Sequence, residues 1–183
     1  MHARAHRRPA ERAAANSRAS HYAILLIGGH CERCGCAAEA ASFWLPPGHE
    51  QRPAEAHEPD WERVATAVVL HGVSWIDPAT RERLAASLPT LKPAAHPPGL
   101  RRRSWLNHCE HCAAPVTGLD DPDTRATVGF ALTGALAAPV LLVTSGQPIS
   151  LRAHAWTYGD LADAATARLD GAVPGGFAHG ASP

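Results

Sequence analysis

The segment HCERCG at residues 30–35 recurs as HCEHCA at residues 108–113, seventy-eight positions later. Both segments contain a C-x-x-C unit with the same preceding His and the same Glu after the first Cys. Two such units supply four thiolates, which is the ligand set of a tetrahedral structural zinc site. The repeat therefore predicts that one Zn²⁺ is bound by four ligands, Cys31, Cys34, Cys109 and Cys112.

Each C-x-x-C unit is flanked by segments that favour β-strands. Tyr22–Ile27 is a compact apolar run that leads into the first unit, and residues 37–46 are expected to return from it as the second strand of a hairpin. Residues 100–107 and 116–119 are expected to flank the second unit in the same way. Gly35 suits the positive φ that such a turn needs, whereas Ala113, at the equivalent position, suits it less well.

The distance between the two units is the unusual feature of the pattern. Seventy-four residues separate Cys34 from Cys109, whereas a compact ribbon has a spacing of roughly 15–20 residues. The intervening chain is long enough for an inserted subdomain with a strand, a helix and a Pro-rich connector at residues 90–99. Two separate redox C-x-x-C sites are the alternative, but a thioredoxin-like site places its motif at the start of a helix, and neither unit precedes a convincing one.

Four further residues cluster around the predicted ligands. His30, His108 and His111 are expected to surround the site without ligating the metal, since four thiolates already saturate zinc. Cys36 is expected to be a small buried or half-exposed thiol. The alternatives are a substitute ligand or a redox sensor at Cys36, and a mixed or open zinc site completed by one of the His side chains.

Charge and composition narrow the classes of function. The formal net charge is zero, but residues 1–20 carry five Arg against one Glu, so the remainder of the chain is mildly acidic. An acidic domain is a poor partner for a phosphate backbone. Contact with nucleic acid would therefore depend on the Arg-rich residues 1–20 and on Arg101, Arg102 and Arg103. The bias towards Ala, Arg, Pro and Gly is typical of a GC-rich bacterial genome.

The remaining patterns complete the predicted fold. Helices are expected from Asp77-Pro78 to about Leu88 and from Asp121-Pro122 to about Leu136, since Asp followed by Pro is a helix start. A third, amphipathic helix is expected over Tyr158–Leu169. Pro139–Ser145 and Ile149–Trp156 are expected to form a hairpin around the turn at residues 146–148. Residues 48–60 are expected to be a loop.

These elements predict an α+β fold with small antiparallel sheets, about three helices and split zinc-ribbon-like knuckles. The expected organisation is a disordered basic tail at residues 1–20, a single zinc-organised domain at residues 21–170 and a flexible tail at residues 171–183. Residues 1–20 lack the apolar centre of a secretory signal, and no apolar run has the length of a membrane span. A cytoplasmic protein without membrane contact is therefore expected.

The sequence around both units resembles that of a group of small bacterial proteins with two distant C-x-x-C units. The resemblance rests on the segment WLNHCEHC at residues 105–112, in which Asn-His precedes the second unit, and on the apolar strand that leads into CERCG at residues 31–35. It implies a zinc-binding split ribbon and no particular activity.

The sequence thus favours a non-enzymatic binding or adaptor module with an unknown protein partner. Two other classes stay open at this point. One is a nucleic-acid-associated zinc ribbon, and the other is a thiol redox or metal-dependent enzyme.

Overall fold

The computed structural model describes residues 15–52, 60–95, 103–116 and 140–171. Within these ranges the chain forms twelve strands and two helices. The strands are β1 (Ser17–Ala19), β2 (Tyr22–His30), β3 (Ala37–Leu45), β4 (Glu50–Gln51), β5 (Glu62–Arg63), β6 (Val68–His71), β7 (Trp75–Ile76), β8 (Leu91–Ala95), β9 (Arg103–Asn107), β10 (Val140–Ser145), β11 (Ile149–Arg152) and β12 (Ala155–Thr157). The helices are α1 (Pro78–Ser87) and α2 (Asp160–Gly171).

The predicted α+β fold with about three helices is wrong, because the described residues form mostly antiparallel sheet with two helices. The helix predicted from Asp121 to about Leu136 lies outside the described residues. Two segments expected to be loop or connector contribute strands, β4 and β8. Both are short and lack an alternating apolar pattern, so their strand character depends on their pairing, of β4 with β1 and β5 and of β8 with β9.

The strands form two five-stranded sheets and one two-stranded sheet. Sheet 1 has the order β5-β4-β1-β11-β7, sheet 2 has the order β10-β2-β3-β6-β12, and β8 pairs with β9. Every pairing between these strands is antiparallel. The two C-x-x-C units follow β2 in sheet 2 and β9 in the small sheet, so they belong to separate sheets.

The hairpin predicted for residues 139–156 is wrong. β10 pairs with β2 in sheet 2, whereas β11 pairs with β1 and β7 in sheet 1. The predicted strand Ile149–Trp156 is also divided, because the buried side chain of Asn16 donates to the carbonyl of Ala153 at 2.8 Å and accepts from its amide at 2.9 Å. Asn16 thus occupies both backbone groups of Ala153, and the chain passes from sheet 1 to sheet 2 there.

β2 is buried on both faces and lies at the centre of three layers. Tyr22, Ile24 and Leu26 belong to the core cluster between the two large sheets, which includes Ile149 and Leu151 of β11. The alternate residues of β2, which are Ala23, Leu25 and Ile27, belong to a second cluster. This cluster also contains Trp44 of β3 and two alanines of α2, Ala162 and Ala165. Because successive side chains point to opposite faces of a strand, the continuous apolar run places β2 between sheet 1 and α2.

Helix α1 begins where the sequence predicts it. Asp77 is the N-cap, and its Oδ1 accepts from the Thr80 amide at 2.9 Å while Oδ2 accepts from the Ser150 amide at 3.0 Å. Burial alone would raise the pKa of Asp77, but hydrogen bonds from Thr80 and Ser150 hold it below its usual value. The cap therefore also ties the start of α1 to β11.

The amino-terminal boundary differs from the prediction. Residues 1–14 of the predicted basic tail lie outside the described residues, as do residues 172–183 of the predicted carboxyl-terminal tail. Residues 17–19, which the prediction placed in the tail, form β1 and pair with both β4 and β11. Neither described helix combines the length and the hydropathy that crossing a bilayer requires. The cytoplasmic location stays a prediction.

The buried imidazole of His49 makes stability depend on acidity. Burial holds the pKa of His49 below its ordinary value, although the Pro46 carbonyl, 2.7 Å from Nδ1, acts in the opposite direction. Below about pH 6.5 the unfolded chain binds a proton that the folded chain does not. The free energy of unfolding should therefore decrease as the pH is lowered, by at most about 1.4 kcal/mol per pH unit for one proton. Above that pH this contribution is constant.

Urea unfolding between pH 7.5 and 5.5 checks this expectation. His49→Asn is the comparison, because a side-chain amide keeps a donor for the Pro46 carbonyl and does not titrate in this range. The wild-type protein should lose more stability than His49→Asn over the interval. Equal losses in the two proteins would assign the acid sensitivity to other groups.

Candidate metal centre

The first knuckle, residues 31–36, closes the hairpin between β2 and β3. His30 pairs with Ala37 at the last register position of the hairpin. Within the knuckle, the Cys31 amide donates to the Cys36 carbonyl at 2.8 Å, and the Gly35 amide donates to the Cys31 carbonyl at 2.8 Å. These bonds turn the chain tightly enough to bring both sulfurs of the C-x-x-C unit to one side of the backbone.

The second knuckle, residues 109–114, repeats this geometry. The Cys109 amide donates to the Ala114 carbonyl at 2.8 Å, and the Ala113 amide donates to the Cys109 carbonyl at 2.9 Å. His108 forms a bridge with Pro115, which corresponds to the His30–Ala37 pair. The repeat in the sequence is therefore also a repeat in the backbone hydrogen bonds.

The fifth residue of each knuckle has a positive φ. Gly35 has φ 71°, and Ala113 has φ 55° and is the non-Gly residue with positive φ in the described ranges. A side chain in this left-handed region costs about 1–2 kcal/mol. Ala113 adopts this conformation despite its cost, so the turn is determined by the surrounding fold and not by the local preference of alanine.

Substitutions at these two positions should have opposite effects. Ala113→Gly should stabilise the protein by up to about 1 kcal/mol, because it relieves the left-handed alanine at some cost in chain entropy. Gly35→Ala should destabilise it by about 1 kcal/mol, since the open space around Gly35 leaves only the backbone penalty. Thermal unfolding of both variants with metal bound measures the two changes in stability. Shifts of the same sign in the melting temperatures would contradict the prediction.

The two knuckles face each other and bring four sulfurs together. Cys31 Sγ lies 3.6 Å from Cys112 Sγ, and Cys34 Sγ lies 3.6 Å from Cys109 Sγ. All four sulfurs lie within 4.8 Å of one another. A tetrahedral site with metal–sulfur bonds of about 2.3 Å has sulfur–sulfur edges of about 3.8 Å. The cluster thus has the size and the donor chemistry to hold one metal ion.

Backbone amides around the sulfurs favour negative charge on them, whereas desolvation of the cluster opposes it. Amide groups of Cys34 and Arg33 lower the pKa of Cys31 to about 7. The Cys36 amide acts in the same direction on Cys34, but desolvation and the neighbouring thiols raise the pKa of Cys34 overall. Because four thiolates this close repel one another, a bound cation is what allows all of them to lose their protons.

The burial of the ligand candidates is uneven. Cys31 and Cys109 are each 3% exposed and pack with Ala114 in a small apolar cluster, while Cys34 is exposed and Cys112 is half-buried. One side of the site is therefore sheltered by protein, and the other faces solvent.

Three histidines and Cys36 lie outside the sulfur cluster. His30 and His111 are exposed, and His108 is half-buried with Nδ1 3.1 Å from the Leu106 carbonyl and 3.3 Å from the Thr90 carbonyl. Cys36 is half-buried, and its sulfur lies 3.9 Å from the Cys34 carbonyl rather than among the four sulfurs. The role of these residues beside a metal stays a prediction.

The arginine run is described only at its end. Arg101 and Arg102 lie outside the described residues, and Arg103 begins β9 opposite Ala95. Contact of this run with nucleic acid therefore stays a prediction.

A cleft of about 530 Å³ beside the knuckles was not predicted from the sequence. One wall is the end of the β2–β3 hairpin, including Gly29 and Glu39, and the other includes Asn107, His108 and Glu110. The sequence carried one signal, a polar Asn between the apolar end of β9 and the second knuckle.

Comparisons of the chain with protein-family models, with curated proteins and with solved structures find no match. The resemblance to small bacterial proteins with two C-x-x-C units stays a prediction, whereas the close approach of the four cysteines is shown.

Proposed function

We propose that Cys31, Cys34, Cys109 and Cys112 bind one structural Zn²⁺, and that the protein is a non-enzymatic binding or adaptor module. The observation that carries the proposal is the convergence of four sulfurs within 4.8 Å from two knuckles with the same hydrogen bonds. Thiolate ligands favour zinc among the divalent ions that proteins commonly hold in closed tetrahedral sites.

The position of the site supports a structural role. The first knuckle extends from sheet 2 and the second from the β8–β9 sheet, so a metal ion joins two sheets that share no strand pairing. The apolar cluster around the site contains only small side chains besides the cysteines. Such a contact buries little apolar area, and a metal compensates for a thin core.

The ligand count opposes a catalytic metal. A catalytic zinc usually has three protein ligands and an open position, whereas four thiolates close the coordination shell here. Redox use of two separate C-x-x-C sites is also disfavoured, because sulfurs of different knuckles approach to 3.6 Å and the four cysteines form one cluster.

Metal analysis of protein purified without oxygen tests the proposal. We expect one equivalent of zinc per chain in the wild-type protein and less than that in Cys34→Ser, in which an exposed ligand is replaced with little effect on packing. Cys36→Ser is the matched control and should retain the full equivalent. Wild-type protein without bound metal, or with an equivalent of iron, would contradict the zinc assignment.

A further inference from the structure

The cleft between the two knuckles carries a second kind of site. Ten residues in the described part of the chain line it, from β2, β3, the turn before β8, the end of β9 and the second knuckle, and none of these ten is Lys or Arg. Two carboxylates, Glu39 and Glu110, are exposed at its wall. A cavity of this volume is in the range of small-molecule sites, and its charge favours a cation over an anion.

Two carboxylates give the cleft strong hydrogen-bond acceptors. His108 lines the cleft, and its Nδ1 lies 3.1 Å from the Leu106 carbonyl and 3.3 Å from the Thr90 carbonyl, which only accept, so Nδ1 donates away from the ligand. A ligand that matches the two carboxylates must supply several N–H donors, as an ammonium group does.

Asn107 adds a specific requirement. It lines the cleft, is 2% exposed, and neither its amide nitrogen nor its amide oxygen has a hydrogen-bond partner. A buried polar group without a partner costs about 1–3 kcal/mol. The pair is satisfied by a ligand that presents one donor and one acceptor side by side, such as an amine next to a carbonyl.

The floor of the cleft admits close approach of such a ligand. Gly29 and Ala38 are paired across the hairpin, and a Cβ added at Gly29 would meet nothing within 4 Å. Glycine within a strand weakens the strand and is typical of places where another backbone or a ligand comes close. The described residues that converge closely enough for a metal ion are the four cysteines, so the carboxylates and imidazoles of the cleft do not form a second metal site.

We infer that this cleft binds an α-ammonium group together with the adjacent amide carbonyl, as found in an amino-acid amide or at the amino terminus of a peptide. Glu39 and Glu110 accept from the ammonium group, while Asn107 donates to the adjacent carbonyl and accepts from the same ammonium group. The inference rests on the proposed function only in that the metal holds the two walls of the cleft together.

Titration of the zinc-containing full-length protein, followed by NMR of its backbone amides, tests the inference. The probes are glycinamide, ethylamine, acetamide and glycine. Glycinamide should bind most tightly, since ethylamine lacks the carbonyl, acetamide lacks the charge, and the carboxylate of glycine is repelled by Glu39 and Glu110. An equal response to glycinamide and ethylamine would overturn the role of Asn107, and no response to glycinamide at millimolar concentration would overturn the site.

Two kinds of variant locate the binding. The double variant Glu39→Gln with Glu110→Gln should weaken glycinamide binding by about tenfold or more, and Gly29→Leu should abolish it by filling the open floor. Glu32→Gln is the control, because this exposed carboxylate of the first knuckle does not line the cleft. Zinc content is measured in every sample. If the wild-type protein contains zinc but does not bind glycinamide, the cleft inference is wrong while the zinc proposal stands. Unchanged glycinamide binding in the double variant would also contradict the cleft inference.

Short peptides distinguish the two sources of the ligand. A tetrapeptide amide with a free amino terminus should bind more tightly than glycinamide if the natural ligand is a peptide, and less tightly if it is a free amino-acid amide. The same peptide with an acetylated amino terminus should not bind in either case, and its binding would overturn the inference.

Discussion

Replacement of Cys109 by Ser should remove the metal and lower the free energy of unfolding by about 4 kcal/mol or more. Loss of a metal site belongs to the small group of changes with effects of this size. The reason is that Cys109 is a 3% exposed ligand candidate, so the variant loses a thiolate, leaves a hydroxyl in an apolar cluster and releases the link between the knuckles. Denaturant unfolding with metal analysis of the same samples measures both effects.

The damage should be confined to one end of the molecule. The cores on either side of β2 contain the large apolar side chains, whereas the cluster at the knuckles contains small ones. Amide hydrogen exchange should therefore accelerate in the knuckles and in the β8–β9 sheet, while residues 22–27 of β2 keep their protection. Chelation of the wild-type metal should reproduce the same exchange pattern.

Cys36→Ser provides the matched control for this prediction. Cys36 has the same side chain and lies in the first knuckle, but its sulfur is outside the cluster of four. The expected change in the free energy of unfolding is within about 0.5 kcal/mol, as for other substitutions away from specific contacts. If Cys36→Ser were as damaging as Cys109→Ser, the assignment of the four ligands would be wrong.

The knuckles were predictable because their information is local. A C-x-x-C unit followed by a residue that accepts positive φ is defined within six positions, and the two flanking strands β2 and β3 are strongly apolar. Helix α1 was predictable for the same reason, since Asp77 and Pro78 are adjacent in the sequence. Each of these features needs no knowledge of distant residues.

The sheets were not predictable because their information is distant. β8 contains Pro93, which lies opposite Trp105 of β9. The sequence around this proline indicates a connector. A proline is nevertheless tolerated in a two-stranded sheet, because both strands are edge strands. The division between β11 and β12 depends on Asn16, 137 positions from Ala153. Local patterns therefore predicted a simple hairpin where the chain changes sheets.

The cleft was missed for a related reason. Glu39, Asn107 and Glu110 are separated in the sequence, and each has an ordinary local explanation as a surface or strand-end residue. Their common position depends on the approach of the two knuckles. A polar residue buried without a partner, as Asn107 is, becomes visible only when the packing around it is known.

Replacement of Leu25 by Ala should cost about 2–5 kcal/mol of unfolding free energy, the range for a leucine truncated in a packed core. Leu25 is fully buried in the cluster that joins β2 to α2, where the helix contributes Ala162 and Ala165. Alanines cannot extend into the space that the leucine leaves, so the cavity should persist and the helix should lose part of its contact with the sheet.

The two faces of β2 make this second prediction specific. Ile24→Ala truncates the opposite face, between the two large sheets, and should cost a comparable free energy. Amide exchange in α2 should accelerate in Leu25→Ala and much less in Ile24→Ala, because only Leu25 contacts the helix layer. Leu106→Ala, on the half-buried end of β9, is the control of smaller effect. If Leu25→Ala lost no more unfolding free energy than Leu106→Ala, α2 would not cover β2. Burial by α2 on one face and by sheet 1 on the other explains why β2 is apolar at every position from Tyr22 to Ile27.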